Sequence, residues 1–356
     1  MVMKKGRANL WAKAIFVFLF FLAVLPGGIA KAITIPVEIT IKDEFGNNLS
    51  GAWGGYVSYY CTGGSIYVVQ DNSNAQYDNI QADANPAVGV IGFDPATMAS
   101  CAAGDTLNIN VFGLGTRGYL NYSTTKVYSS VSNPISSANK FTVKVNFNTE
   151  LNQPITKGGS VKYGGIVCLQ NTAQKEVFGC AAPINAAQGN IELAKSGMIA
   201  KTVQGILHPT SESGAQTITT QTMQYALVIN SIKHELGYNI DLSLNTPTVD
   251  IKFGGSSVPI LSPNDNPAVV VSGEKIFIPV SAGENPTNYD LVTSINGFVP
   301  VTKQVSLSYT TRTETDITGM PFVVRVDALK DGFGNSLISG FANMSFSSET
   351  GIADAQ

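Results

Sequence analysis

Charge is what this chain of 356 residues has least of: Asp, Glu, Lys and Arg together make up 13% of it, and the net charge is only −3. With no basic excess there is no electrostatic reason for it to bind nucleic acid or an anionic membrane. Histidine is scarcer still, His208 and His234 being the only two. Neither stands beside a Ser or Cys motif, so histidine-based hydrolytic or nucleophilic catalysis has no constellation to work with, and the chain reads as a non-enzyme. No Cys-x-x-Cys spacing exists and the histidines are not spaced like ligands, which argues against zinc. A phosphate-binding glycine loop and a dinucleotide fingerprint are missing too, since Gly113-x-Gly115 lies between strands, so no cofactor is expected. Helical periodicity is nearly absent; its best stretch, Ile191 to Lys201, reads equally well as a strand with a bulge at Gly197.

Long apolar runs are also wanting, apart from one at the N terminus. Residues 1–32 have the parts of a secretory signal peptide: Lys4, Lys5 and Arg7, an apolar run from Ala14 to Leu25, and the small-residue site Ala30-Lys31-Ala32. That run is about twelve residues long, where a membrane span wants roughly twenty. Export is therefore expected, with no membrane span after cleavage and a secreted, extracellular or cell-surface location. The four cysteines fall as two local pairs, Cys61 with Cys101 and Cys168 with Cys180. Four cysteines allow three pairings, and in an oxidising compartment the local pairing predicts one disulfide inside each of two domains.

What the chain does have is Gly, Ser, Thr, Asn and β-branched residues in alternating runs, the composition of β-sheets with many turns. One phrase recurs: VEITIKDEFGNNLSG from Val37, VKVNFNTELNQPI from Val143, VDIKFGGSSVPIL from Val249 and VVRVDALKDGFGNSLISG from Val323. The first three starts are evenly spaced and the fourth comes sooner, as if one folding unit were reused. Within the first phrase Val37, Ile39 and Ile41 alternate with Glu38, Thr40 and Lys42, the period of a strand with one face buried. A second phrase, strand then Gly-aromatic then strand, is read as closing each unit at Gly118-Tyr119, Gly237-Tyr238 and Gly297-Phe298. These phrases predict β-sandwich domains over 33–140, 141–247 and 248–320, with 321–356 the opening hairpin of an incomplete fourth unit. A lone hairpin is marginally stable in water, so the chain is expected to be a fragment of a longer protein, or else to lend that hairpin to another sheet. No long low-complexity linker separates the units, so neighbours should abut through short joints.

The phrase Tyr289 to Ser308, YDLVTSINGFVPVTKQVSLS, resembles the end of carboxypeptidase regulatory-like, transthyretin-like β-sandwich domains. The openings IKDEFGNNLSGA and LKDGFGNSLISG are similar to the first hairpin of bacterial Ig-like repeats of invasin and intimin type surface adhesins. Both resemblances imply an all-β architecture of tandem Ig-like or transthyretin-like sandwiches on an exported protein. The Asn-, Ala- and Gly-rich insertions Asp71 to Asn85, Thr172 to Gln188 and Pro209 to Thr222 depart from compact members of either family.

Candidate sites are few. Trp53, Tyr56, Tyr59, Tyr60 and Tyr67 cluster near the first hairpin and could stack on sugars or anchor a partner, although alternation sends about half such side chains into the core. The turns Asp43-Glu44-x-Gly46-Asn47 and Asp265-Asn266 offer oxygen ligands of the kind Ca²⁺ takes, but need Asp, Asn and Gly for their own geometry. Lys42, a conceivable isopeptide lysine, alternates onto the face opposite Val37, Ile39 and Ile41 and reads as a solvated surface residue. Asn48, Asn121 and Asn343 lie in N-x-Ser sequons. Taken together, the sequence predicts a non-catalytic structural or adhesive protein: a stalk, adhesin, surface-layer or filament subunit. Its partners would be other surface proteins, glycans or copies of itself. The alternative is a polysaccharide-binding accessory region of a secreted hydrolase.

Overall fold

A computed structural model of the chain describes residues 37–49, 55–70, 90–131, 133–264, 268–324, 328, 330, 332–336, 344–346 and 353–355. The expected signal peptide, Trp53, Asp265, Asn266, Asn343 and the insertion Asp71 to Asn85 lie outside these residues.

The architecture is all-β and sandwich-like, and it writes the same topology three times. The first stretch holds β1 (Val37–Thr40), β2 (Tyr56–Cys61), β3 (Tyr67–Gln70), β4 (Val90–Phe93), β5 (Thr106–Phe112), β6 (Tyr122–Val127) and β7 (Asn133–Ser136). It forms two sheets, ordered β4-β1-β7 and β3-β2-β5-β6. The second holds β8 (Val143–Thr149), β9 (Gly159–Tyr163), β10 (Ile166–Val167), β11 (Leu169–Gln170), β12 (Val177–Cys180), β13 (Gly189–Lys195), β14 (Lys201–Ile206) and β15 (Thr217–Met223). Its sheets run β11-β12-β8-β15 and β10-β9-β13-β14. The third holds β16 (Leu227–His234), β17 (Thr248–Phe253), β18 (Ser256–Ser257), β19 (Val270–Ser272), β20 (Lys275–Ile278), β21 (Thr287–Ser294), β22 (Val301–Leu307) and β23 (Thr313–Met320), in sheets β19-β20-β16-β23 and β18-β17-β21-β22. The second and third orders are identical, and among the described residues the first differs only in having one strand fewer. A hairpin of β24 (Met344–Phe346) and β25 (Ala353–Ala355) follows.

These pairings regroup the strands expected from the phrases. Leu227–His234 was expected to close the second unit, yet β16 is hydrogen-bonded antiparallel to β20 and parallel to β23, so it opens the third pair of sheets. The run from Val249, expected as an opening, is β17 in the facing sheet, paired with β18 and β21. Partners change between β15 and β16 rather than near Pro247. The two phrases look alike because both are alternating runs ahead of a turn, and alternation cannot say which sheet a strand joins.

By their contacts the residues divide into two compact units. One is Met1–Asn146 with Lys162–Ile191 and Val203–Thr220; the other is Phe147–Val161 with Glu192–Thr202 and Gln221–Gln356. In the first unit the core is fed by both faces: Val37, Ile39, Ile91 and Phe93 from one sheet, Val57, Tyr59, Leu107, Ile109 and Val111 from the other. Tyr59 stacks on Phe93 with ring centroids 4.1 Å apart, which fixes the separation of the sheets there. Cys61 and Cys101 are bonded (Cα–Cα 5.7 Å), as are Cys168 and Cys180 (4.3 Å), so the local pairing read from the sequence is the one present. A short helix, α1 (Pro95–Ala99), interrupts the β pattern; Asp94 caps it by accepting from the Ala96 N–H, and Pro95 takes the first helical position. In the second unit Leu227, Ile229, Ile276, Ile278 and Ile317 face Ile251, Leu291, Val305 and Leu307. Ile191 to Lys201 is not helical: β13 ends at Lys195, and Gly197, at φ +88°, turns the chain into β14.

Candidate functional site

Each first strand ends in the same turn, made each time by a different residue. The N–H of Asp43 donates to the Asn47 carbonyl (3.0 Å), that of Thr149 to Gln153 (2.8 Å) and that of His234 to Tyr238 (3.1 Å). The side chain of the first residue then accepts from backbone inside the turn. Asp43 Oδ1 takes the N–H of Phe45 (2.8 Å) and Asn47 (2.9 Å), Thr149 Oγ1 those of Leu151 (3.3 Å) and Gln153 (3.2 Å), and His234 Nδ1 that of Leu236 (3.1 Å). The fourth residue has positive φ: Gly46 at +87°, Asn152 at +57° and Gly237 at +87°. A strand bridge closes each turn at Lys42–Asn48, Asn148–Pro154 and Lys233–Asn239, and again at Lys330–Ser336 beyond the third pair of sheets. Gly237 therefore belongs with Gly46 as part of an opening turn.

The residue after each turn's first is an acid, and in the first two turns, at Glu44 and Glu150, it reaches the chain leading into the next pair of sheets. Glu44 Oε1 accepts the N–H of Phe141 (3.1 Å), and Glu150 Oε1 accepts that of Tyr225 (3.0 Å). Each carboxylate also holds a cation, Lys144 Nζ at 3.1 Å and Arg312 at 2.7 Å. Gln216, which also donates to Glu44, and Arg312 stand at matching places, just ahead of the last strands β15 and β23. Across the lead-in residues from each acid is a Gly-apolar pair of the same sandwich. Thr142 N–H donates to the Gly118 carbonyl (3.0 Å), Ala226 to Gly197 (3.4 Å) and Val323 to Gly297 (3.0 Å). Strand bridges join Tyr119 to Phe141, Met198 to Tyr225 and Phe298 to Phe322. The joint is thus a repeated object: an acid on the opening turn, a Gly-apolar turn, and an aromatic residue between them.

Close approach sets the residue type at its centre. At Gly118, φ +83°, an added Cβ would fall 2.1 Å from the Ala181 carbonyl carbon; at Gly197 it would fall 2.8 Å from that of Pro279. The first joint has a further clasp from the Pro209 to Thr222 insertion. Glu212 accepts the N–H groups of Gly113 (2.6 Å) and Gly115 (2.9 Å), and its own carbonyl accepts from Asn121 (3.0 Å). At the second joint the N–H groups of Thr156 and Lys157 converge on the Pro263 carbonyl (2.9 and 3.1 Å). Beside it lies a cleft of about 400 Å³ whose walls include Ser160, Lys195, Met198, Ser281 and Tyr309. The Lys195 ammonium, 9% exposed as a residue, donates to the Ser196 carbonyl at 3.2 Å, and burial pulls its pKa below the ordinary lysine range.

The residues singled out from the sequence are placed differently. Tyr59 is buried in the core; Tyr67 is half-buried against that core, and Tyr56 stacks on Phe112 at 5.4 Å. Tyr60 is half-buried on the opposite face of β2 from Tyr59. Asp43 is 1% exposed and spends both oxygens inside its turn, the second on Asn47 Nδ2 at 2.9 Å, while Glu44 is engaged at the joint. His208 has a backbone carbonyl 2.9 Å from each ring nitrogen, those of Pro209 and Ala186. In the sequence Glu44 stands out only as a possible Ca²⁺ ligand in its turn, and Glu150, Glu212, Arg312 and Lys195 do not stand out at all. A signal for two of them was present: Asp43-Glu44-Phe45-Gly46, Thr149-Glu150-Leu151-Asn152 and His234-Glu235-Leu236-Gly237 share Glu, then an apolar residue, then one that tolerates positive φ.

No family model matches the sequence, and no curated protein matches it. Among solved structures, the Bacillus anthracis TIE protein is similar at 12% identity over 80% of this chain and 49% of that one, with a TM-score of 0.23. A Bacteroides ovatus mixed-linkage glucan utilization locus SGBP-B, in complex with a mixed-linkage heptasaccharide, is 13% identical over 79% of this chain and 66% of that one, with a TM-score of 0.13. The I9–I11 tandem from titin is 8% identical over 81% and 98%, with a TM-score of 0.11. The chain spans 49% of the length of the first of these. Scores this low carry no argument, and the fold rests on the sheet pairings alone.

Proposed function

We propose that this is a non-catalytic structural or adhesive protein that works outside the cytoplasm, as a stalk, adhesin or subunit of a surface layer or filament. The observation that supports this reading is the joint itself, built with the same hydrogen bonds after each of three pairs of sheets. A binding module needs one good surface. A chain that repeats its connections so closely is better suited to holding successive sandwiches in fixed register. Two disulfides fit an oxidising compartment, and among the described residues no helix is long and apolar enough to cross a membrane.

The reading makes two measurable demands. Protease treatment of intact source cells should remove the protein from their surface, and the amides of Phe141 and Tyr225 should exchange with solvent as slowly as those of β5 and β21. A protein wholly retained in the cytoplasm with free thiols would overturn the location. Joint amides that exchange like free loops would overturn the structural role. Saturable binding of neutral polysaccharide with fast-exchanging joints would favour the accessory-region alternative.

A further inference from the structure

The first joint supplies its own comparison for the cleft beside Lys195. Gly118 and Gly197 are matched by their hydrogen bonds, but the chain ahead of them differs: Gly115 begins a 3-10 turn beyond β5, whereas Ala194 and Lys195 still belong to β13. At Gly115 a carboxylate is already in place: Glu212 accepts from the N–H groups of Gly113 and Gly115. A Cβ added to Gly115 would meet Ile184 at 2.5 Å and Glu212 at 2.7 Å, so that space is filled. Ahead of Gly197 the chain instead lines an open cleft, with Ala194 and Lys195 in its walls. Instead of an acid supplied by the chain, it has a buried base, Lys195, with one proton on the Ser196 carbonyl and no carboxylate paired with it among the described residues.

A buried ammonium without a counter-ion is costly, and a folded protein keeps one most readily where an anion arrives from outside. We propose that the cleft binds the carboxylate of a small organic acid, of about the size of a monosaccharide or an amino acid, with Lys195 as its counter-ion. The volume of about 400 Å³ suits one such molecule. Ser160 and Ser281 bring hydroxyl groups to the same walls, and the ring of Tyr309, 38% exposed, offers an apolar face for the rest of the ligand. This inference goes beyond the structural role and stands or falls apart from it.

Calorimetric titration of the full chain with glucuronate and with N-acetylglutamate tests it, each compared with its methyl ester. At least one acid should bind saturably, its ester at least tenfold more weakly, and Lys195→Met should lose the acid by a similar factor. Which acid binds separates a sugar source from an amino-acid source. Because Lys195→Met could alter folding, Ser281→Trp, which fills the cleft while leaving Lys195 in place, should also abolish binding. Bound ligand should raise the Lys195 pKa, read from its Cε resonance. Equal affinity of acid and ester, unchanged affinity in both variants, or no saturable binding of either acid would overturn the proposal.

Discussion

At the first joint Glu44 is held by Phe141, Gln216 and Lys144, and Glu212 clamps the Gly113–Gly115 loop from a second side. At the second, Glu150 is held by Tyr225 and Arg312, and the chain ahead of Gly197 lines an open cleft. The shared part is the hydrogen bonding that any two successive sandwiches need. The unshared part comes from an insertion, Pro209 to Thr222, that the third pair of sheets does not match in length. Connection and specialisation are thus carried by different segments, so either can be altered by mutation without the other.

The glycines make the first cut. Gly118→Ala should destabilise the chain by about 2–5 kcal/mol, because left-handed strain of ~1–2 kcal/mol adds to overpacking against Ala181. Gly297→Ala has the same φ, +82°, but meets nothing within 4 Å, so only the strain of about 1–2 kcal/mol should appear. Urea denaturation distinguishes them, and equal losses would show that close approach at Gly118 is not what selects glycine.

The acids make the second. Glu150→Ala strands the Tyr225 N–H and leaves the Arg312 guanidinium, whose side chain is 16% exposed, with Glu314 as its remaining partner at 3.0 Å, and should cost about 2–3 kcal/mol. Glu44→Ala should cost less, roughly 1–2 kcal/mol, since the Lys144 side chain is 25% exposed and can turn to solvent. Double-mutant cycles with Arg312→Gln and Lys144→Gln should give the larger coupling at the second joint. Glu212→Gln places an amide N–H against a backbone donor at the first joint only. Hydrogen exchange should then rise at Gly113 and Gly115 by the equivalent of about 1.5–3 kcal/mol, with Tyr225 unchanged.

Alkaline titration separates the joints more gently. The Lys195 pKa is lowered in the folded state, so between that value and the ordinary lysine range the unfolded chain binds more protons and stability rises with pH. Lys195→Met should remove this rise and stabilise the chain below it by about 1 kcal/mol. Tyr119 works in the opposite sense. Burial, with help from Asp43, pushes its phenol up to about 12, so stability falls as pH rises from 10 toward 12, and Tyr119→Phe should flatten that fall.

How much of this was legible in the sequence depends on whether a residue's role is local. Alternation at Val37, Ile39 and Ile41 predicts a one-sided strand, and the strand is there with that face buried. Local cysteine pairing was likewise readable. Asp94-Pro95 is a legible helix start, but the helix Pro95–Ala99 is too short to show helical periodicity. The third unit's opening is hidden in the sequence because Asp43, Thr149 and His234 perform one task with three chemistries, a carboxylate, a hydroxyl and an imidazole. A search by residue type finds no repeat among them. Lys195 gave no signal at all: its alternation along β13 marks it as inward-facing, but nothing in the sequence says that the space it faces is open.

The opening turn has a consequence for how such a chain can change its length. The second and third sandwiches each carry one half of a joint, the acid, on their own first turn and the other half in the aromatic residue, Phe141 or Tyr225, that leads into them. A duplicated segment that begins at such an aromatic and ends just before the next therefore brings both halves, and can be spliced in or cut out without re-engineering its neighbours. The turns at Asp43, Thr149 and His234 recur at unequal intervals, which is the record such splicing and loop growth would leave: the couplings stay constant while everything between them is free to drift.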